Sequence, residues 1–383
     1  MTSKLPKVGA TIFTRMTALA NAAQALNLSQ GFPGFEPDSL LIDRLAYHVA
    51  HGKNQYSPTA GVPELRNQLA LKYGYHAENE ITVTAGASEA LFSAIAAVVS
   101  PGDEVVIIEP AYDLYLPAVQ LQGGIPVFVR MKYPDFTIDW QEVQDKITPR
   151  TRLILLNTPH NPTGKILNEA DITALEQVIE RHPHLLLISD EVYEHILFDH
   201  RKHLSLAQSP TLRERTFICN SFAKTYHITG WKTGYCLAPE KLTAELRKVH
   251  QYITFCTFTP AQYALADYLA GTTSHLELAA FYQKKKNLFV DALAPDVFRP
   301  LPSEGTFFQN LSYAHLSQQP DVDVSILLTE KLGVASIPTS AFYADGTDHQ
   351  VLRFCFAKDD ETLVEAARRL NRAGELLAKL QPV

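Results

Sequence analysis

The segment SFAKTYHITGWKTG, residues 221–234, lies between two apolar runs, TFIC and YCLA. It sets Lys224 three residues after Ser221 and continues into a Gly-Trp-Lys-x-Gly turn that brings in a second cation, Lys232. A primary amine beside hydroxyls and another cation can form a Schiff base with an aldehyde while its neighbours grip a phosphate on the same molecule. Pyridoxal phosphate (PLP) is a cofactor of that description. A lone Ser-x-x-Lys equally fits a solvated surface lysine.

Other segments offer matching groups. Asp190 follows the apolar run HLLLIS; a carboxylate at a buried strand end is costly unless a cation meets it, and a protonated pyridine nitrogen is one. Such a contact keeps the ring an electron sink; capping of the next segment is the plainer alternative. Tyr193, three residues on, can reach a phenolic oxygen on that ring. In NTPHNPTG, prolines and a glycine bracket Asn161, whose amide can donate to the same oxygen. Tyr112 in EPAYD offers a face for stacking, or ordinary packing. Gly86, Ala87 and Ser88 stand where a strand enters a helix, a place that suits a phosphate, with a plain N-cap by Ser88 as the alternative. Arg353, inside the apolar run VLRFCFA, wants a carboxylate from the protein or from a substrate. The glycine-rich loop QGFPGF can approach a ligand or simply connect.

The elements that must position these groups begin at residue 81. Short apolar runs (ITVTA, EVVII, RLILL, HLLLI, RTFIC) alternate with helical stretches, the pattern of βαβ units and a parallel sheet. Each run ends in a polar segment carrying one of the candidates, and in open α/β sheets ligands bind beyond the carboxyl ends of the strands. The run GYCLAP has Lys232 before it, so it is expected antiparallel to the others. Helices are expected over 12–25, over 40–52 with Gly52 as its cap, and over 62–73. After residue 280 the strands FFQNLS, VASIP and VLRFCFA suggest a smaller α+β unit, with which the first 40 residues are expected to pack. The tail 359–380 puts Leu363, Ala366, Ala367, Leu370, Ala373 and Leu377 on one helical face.

At 383 residues the chain has room for two or three domains. Its net charge of -7, without a basic block, argues against nucleic acid as a partner. No signal-peptide core or membrane-spanning run is present, which points to the cytoplasm. Cys219, Cys236, Cys256 and Cys355 are widely spaced in apolar or aromatic runs and read as free thiols. The 14 histidines show no zinc spacing and read as surface or site-lining residues, so no metal is expected.

Taken together, SFAKTYHITGWKTG, NTPHNPTG, SDEVYEH, TAGASEAL, NQYSPTAG, QGFPGF and LRFCFAK resemble the fold-type-I PLP-dependent aminotransferases, in family order from about residue 13 to the C-terminus. The similarity is nearest to the methionine/glutamine and kynurenine subgroup. It implies an α/β, aspartate aminotransferase-like PLP-dependent transferase fold: a mostly parallel seven-stranded sheet with one antiparallel strand, and a small α+β domain. The large domain would span 41–280, and the small one 1–40 with 281–383. Lys224 would carry the cofactor, Asp190 would face the pyridine nitrogen, and Asn161 and Tyr193 would hold the phenolic oxygen. Tyr112 would stack on the ring. Ser221, Lys232, Gly86, Ala87 and Ser88 would form the phosphate cup. Arg353, helped by Asn161 and the Gly31 backbone, would bind a substrate carboxylate. Tyr56 would come from the neighbouring subunit, which implies a homodimer with shared sites.

Two positions depart from the family pattern: Gly34 stands where relatives usually carry Asp, and Lys232 where many carry Arg. The implied reaction moves an amino group from an amino acid to a 2-oxo acid by a ping-pong mechanism. Phe13, Tyr56 and Phe342 would favour methionine, glutamine, phenylalanine or kynurenine. A PLP-dependent C–S β-lyase is the nearest alternative. A PLP-binding regulatory protein would need a DNA-binding domain, for which the first 40 residues offer no basic helix-turn-helix.

Overall fold

The computed structural model describes residues 2–6 and 8–378. A two-residue strand, β1 (Leu26–Asn27), precedes a central sheet built from β2 (Ile81–Thr84), β3 (Glu104–Glu109), β4 (Ile125–Arg130), β5 (Thr151–Asn157), β6 (Leu186–Asp190), β7 (Thr216–Ser221) and β8 (Gly234–Leu237). The order is β2-β8-β7-β6-β5-β3-β4. Only β8 runs against its neighbours, pairing antiparallel with both β2 and β7. That is the direction required for Lys232, at the start of β8, to reach the same sheet end as Lys224 after β7.

Alternate side chains of these strands enter two cores, as the pleat dictates. Val106, Ile108, Ile154, Leu156, Leu187 and Ile218 face one helical layer. Val105, Ile107, Leu153, Leu155, Ile188 and Phe217 face the other, with the helix Ala87–Val98. Burial on both faces explains why these strands read as continuous apolar runs. The exception is β4, at the sheet edge with Ile125 and Arg130 exposed, and its weaker pattern hid it from sequence inspection.

A second sheet, order β12-β13-β10-β9, comprises β9 (Arg299–Pro300), β10 (Phe308–Ser312), β12 (Ile337–Pro338) and β13 (Val351–Cys355). Between them, β11 (Val334–Ala335) pairs parallel with β1, which brings the early chain against this unit. Met16 of the first helix also packs with Ile337 and Phe342. That helix is Ile12–Ala22, shorter than the expected 12–25, because Gln24 turns the chain at φ 50 into β1. The helix Ser39–Ala50 is capped by His51 rather than Gly52, which follows at φ 85.

The six tail residues assigned to one face are all fully buried, but on two helices, Asp360–Leu370 and Ala373–Ala378. The break falls near Asn371, whose side chain accepts from the Ala294 amide at 2.7 Å and donates to the Ala292 carbonyl at 3.0 Å. Residues 379 and 380 of that stretch lie outside the described residues. No helix among the described residues is long and apolar enough to cross a membrane.

Candidate active site

A cavity of about 410 Å³ opens at the carboxyl ends of the parallel strands, where they meet the second sheet. Its wall includes Phe13, Gly31, Gly86, Ala87, Ser88, Tyr112, Asn161, Asp190, Tyr193, Ser221, Lys224, Lys232 and Arg353. Tyr56, the remaining sequence candidate, lies outside it, 84% exposed with its ring against Phe255. Phe342 is also absent from the wall, though its ring lies 5.1 Å from the Arg353 guanidinium.

Lys224 sits on a single helical turn, Phe222–Thr225, that Ser221 caps by accepting from the Ala223 amide at 3.1 Å. Its Nζ donates to the Gly31 carbonyl at 2.7 Å. Burial brings its pKa down to about 8, with the charges of Arg353 and Lys232 acting in the same direction. Near neutral pH a usable fraction is therefore the free, nucleophilic amine.

Asp190 ends β6. Its Oδ2 accepts from the Tyr115 hydroxyl at 2.8 Å, and it forms no ion pair among the described residues. Burial raises its pKa to about 6. Such a carboxyl lacks a cation, and a protonated ring nitrogen would supply one. Asn157 fixes both neighbours: its Nδ2 donates to the Asp190 carbonyl at 2.8 Å, and its Oδ1 accepts from the Asn161 amide at 2.7 Å.

Gly86, not Ser88, occupies the N-cap of the helix Ala87–Val98, and Ser88 lies inside its first turn. Gly86 has φ 79, and a Cβ there would come within 3.2 Å of Lys232 Nζ. Close by, a Cβ on Gly234 would strike the Gly86 carbonyl carbon at 2.6 Å. Two glycines thus let a helix start, a β-strand and a lysine ammonium converge, and unpaired first-turn amides beside a cation suit a phosphate. The residues present fit PLP at the phosphate end, the ring nitrogen and the amine.

Arg353 is 1% exposed on β13. Its Nη1 donates to Asn161 Oδ1 at 2.6 Å and its Nη2 to the Ser29 carbonyl at 3.0 Å, while Nε has no partner. The internal salt bridge offered as an alternative from sequence is not formed among the described residues. The guanidinium lies 3.9 Å from the Phe308 ring centroid and 5.3 Å from that of Phe13. Burial lowers its pKa to about 10, so it remains charged.

Sequence inspection missed Asn157, Tyr115, Asp113 and Phe308 as site residues, although Asn157, Asp113 and Phe308 lie in segments it singled out and Tyr115 two residues beyond EPAYD. It also placed the histidines at the surface or the site. His48, His160 and His250 are buried and line no part of the cavity; His48 meets Asp267 through Nε2, His160 meets Thr163 through Nδ1, and His250 has partners at both ring nitrogens.

Residues 23–370 match the family of aminotransferases of class I and II. The chain belongs to that family. Its members depend on PLP, so this chain is a PLP-dependent aminotransferase. It is 50% identical to a methionine aminotransferase of Escherichia coli over 377 residues, 97% of each chain. A kynurenine–oxoglutarate transaminase of Dictyostelium discoideum is 36% identical, covering 94% of this chain and 93% of its own. A solved methionine aminotransferase structure from Escherichia coli superposes with a TM-score of 0.94 at 50% identity, covering 97% of this chain and 99% of that one.

Proposed function

We propose that this aminotransferase takes its amino group from methionine and related neutral amino acids and passes it to a 2-oxo acid. The observation that carries the reading is Arg353: a fully buried guanidinium with no carboxylate partner among the described residues, and Nε free, on the same cavity as the Lys224 amine. A substrate α-carboxylate meets that need, and Asn161 orients the fork. Lys232, Ser221 and the amides of Ala87 and Ser88 would hold the cofactor phosphate, while Gly86, its own amide bonded to the Thr84 carbonyl at 2.7 Å, shapes the turn. Asp190 would keep the ring nitrogen protonated, Asn161 and Tyr193 would hold the phenolic oxygen, and Tyr112 would cover the ring. When bound, PLP supplies the electron sink for the pair left on the substrate. The Lys224 amine would anchor the cofactor aldehyde and, as a free base, would take the proton from the substrate Cα.

Neutral side chains are favoured because Lys224, Lys232 and Arg353 are the lysines and arginines on the described wall, and the reading uses all three. Asp113, on the same wall, adds a carboxylate that repels a second acid group. Phe13 and Phe308 provide apolar contact. The names of the methionine and kynurenine relatives agree with this choice.

A homodimer is part of the proposal. Tyr252, Ile253, Phe255 and Phe258 are all exposed within one short stretch, and the Phe255 ring lies against the exposed Tyr56; a second copy would cover this apolar stretch, carrying Tyr56 to the partner's phosphate cup. Two cores, one within 41–268 and one built mainly from Leu28 and residues 282–377, support a large domain over 41–280 and a small one over 1–40 with 281–383, with Val192, Tyr193, Ile196 and Phe198 packing across into the second core. Four free cysteines suit the cytoplasm.

The test is the visible spectrum of the holoenzyme. Methionine alone should bleach the absorption of lysine-bound PLP to the amine form, and a 2-oxo acid should restore it. A spectrum unmoved by methionine, glutamine or phenylalanine would overturn the substrate assignment. Pyruvate and ammonia released from a cysteine conjugate without an acceptor would favour the lyase.

A further inference from the structure

His250 is fully buried, yet the catalytic cavity does not include it. Its Nδ1 lies 2.5 Å from Glu89 Oε1 and its Nε2 2.8 Å from the Thr59 carbonyl oxygen. A carbonyl only accepts, so Nε2 carries a hydrogen. Nδ1 faces a carboxylate oxygen, and one further proton must lie between the two for that contact to be a hydrogen bond. The pair is therefore neutral as a whole, whichever partner holds the proton.

The other oxygen of Glu89 accepts from the Ala85 backbone amide. Ala85 immediately precedes the proposed phosphate cup, Gly86 to Ser88, and Glu89 immediately follows it. Glu89 thus folds back beneath the cup and pins its entry, much as an N3 carboxylate does in a capping box. An isolated carboxylate there would oppose a phosphate dianion; sharing a proton with His250 removes the opposition and keeps the bond. At the far end, Thr59 belongs to NQYSPTAG, the loop that carries Tyr56.

We propose that Glu89 and His250 are positioning residues for the phosphate of PLP, holding the 85–88 turn in its anion-binding shape and tying it to the Tyr56 loop. This rests on the functional reading above. It explains a buried acid and a buried histidine that the reaction itself does not use.

The test measures binding of PLP, and separately of pyridoxal, which has no phosphate, to cofactor-free protein by absorbance titration. His250→Phe and Glu89→Ala should weaken PLP by about tenfold or more, roughly one unit in log Kd, and leave pyridoxal nearly unchanged. Glu89→Gln can accept from Ala85 and donate to a neutral His250, so PLP affinity should stay within about threefold of wild type. Adding Glu89→Gln to His250→Phe should recover part of the loss by removing the stranded charge.

Equal losses for PLP and pyridoxal, or unchanged PLP binding in both disruptive variants, would overturn the proposal. If His250→Phe does not fold, Glu89→Ala against Glu89→Gln decides it by the same criteria. A wild-type chain that binds no PLP would instead sink the functional reading, and the proposal with it.

Discussion

Asp190 and Glu194 lie four residues apart on one segment and are both buried, at 4% and 7% exposure, but their surroundings differ in kind. Glu194 is met by Lys72 at 3.1 Å and His195 at 3.0 Å, and by the Tyr73 hydroxyl. Burial alone would raise its pKa, yet the charges of His195 and Lys72 outweigh it and hold the group well below the usual carboxylate range. Glu191, between the two, has His203 at 2.8 Å. Asp190 has a tyrosine hydroxyl and, among the described residues, no ion pair; the charge of Lys224 does not offset burial, which leaves its pKa raised to about 6. The comparison teaches how to separate acids within one run: Glu191 and Glu194 take their counter-charges from the protein, and Asp190, which the proposal sets against the cofactor's ring nitrogen, is left for a ligand to complete.

Replacing Lys224 by Ala should remove turnover almost entirely, by more than about 10⁴-fold, because nucleophile and base are lost together. Single-turnover kinetics would show it, and substantial residual rate would remove Lys224 from the site Asp190 serves. Asp190→Asn should lower kcat by on the order of 10² to 10³, with the fold intact. Glu194→Gln should do the opposite: kcat near wild type, and stability reduced by about 2 to 4 kcal/mol in chemical denaturation. Reversal of those two outcomes would break the distinction between the neighbours.

A smaller effect separates them by pH. In cofactor-free protein the pKa of Asp190 is raised from 3.8 to about 6. The folded state then binds more protons than the unfolded one across that interval, so this contribution to stability falls as pH rises from about 4 to 6, by roughly 3 kcal/mol. Glu194, shifted the other way, loses its contribution as pH falls below the ordinary carboxylate range. Asp190→Asn should flatten the first slope and leave the second. The smallest expected change is in selectivity: Asp113→Asn should raise kcat/KM for glutamate relative to methionine by up to about tenfold.

Much of the site was legible before folding was considered. Lys224, Asp190, Asn161 and Ser221 each lie at the end of an apolar run, and in a parallel sheet strand ends converge, so the run pattern already grouped them. The direction of β8 followed from the position of Lys232. Short-range regularities, a strand run or a helix start, are written in neighbouring residues and survive reading one segment at a time.

What the tertiary structure decided are the pairings across long separations. Tyr115 reaches Asp190 over 75 residues, His250 reaches Glu89 over 161, and Arg353 reaches Asn161 over 192. Residue types alone left Arg353 undecided between a salt bridge and a substrate, and set His250 at the surface or the site. Those choices depend on which buried polar groups remain without partners after packing, a property of the whole fold that no local spacing carries.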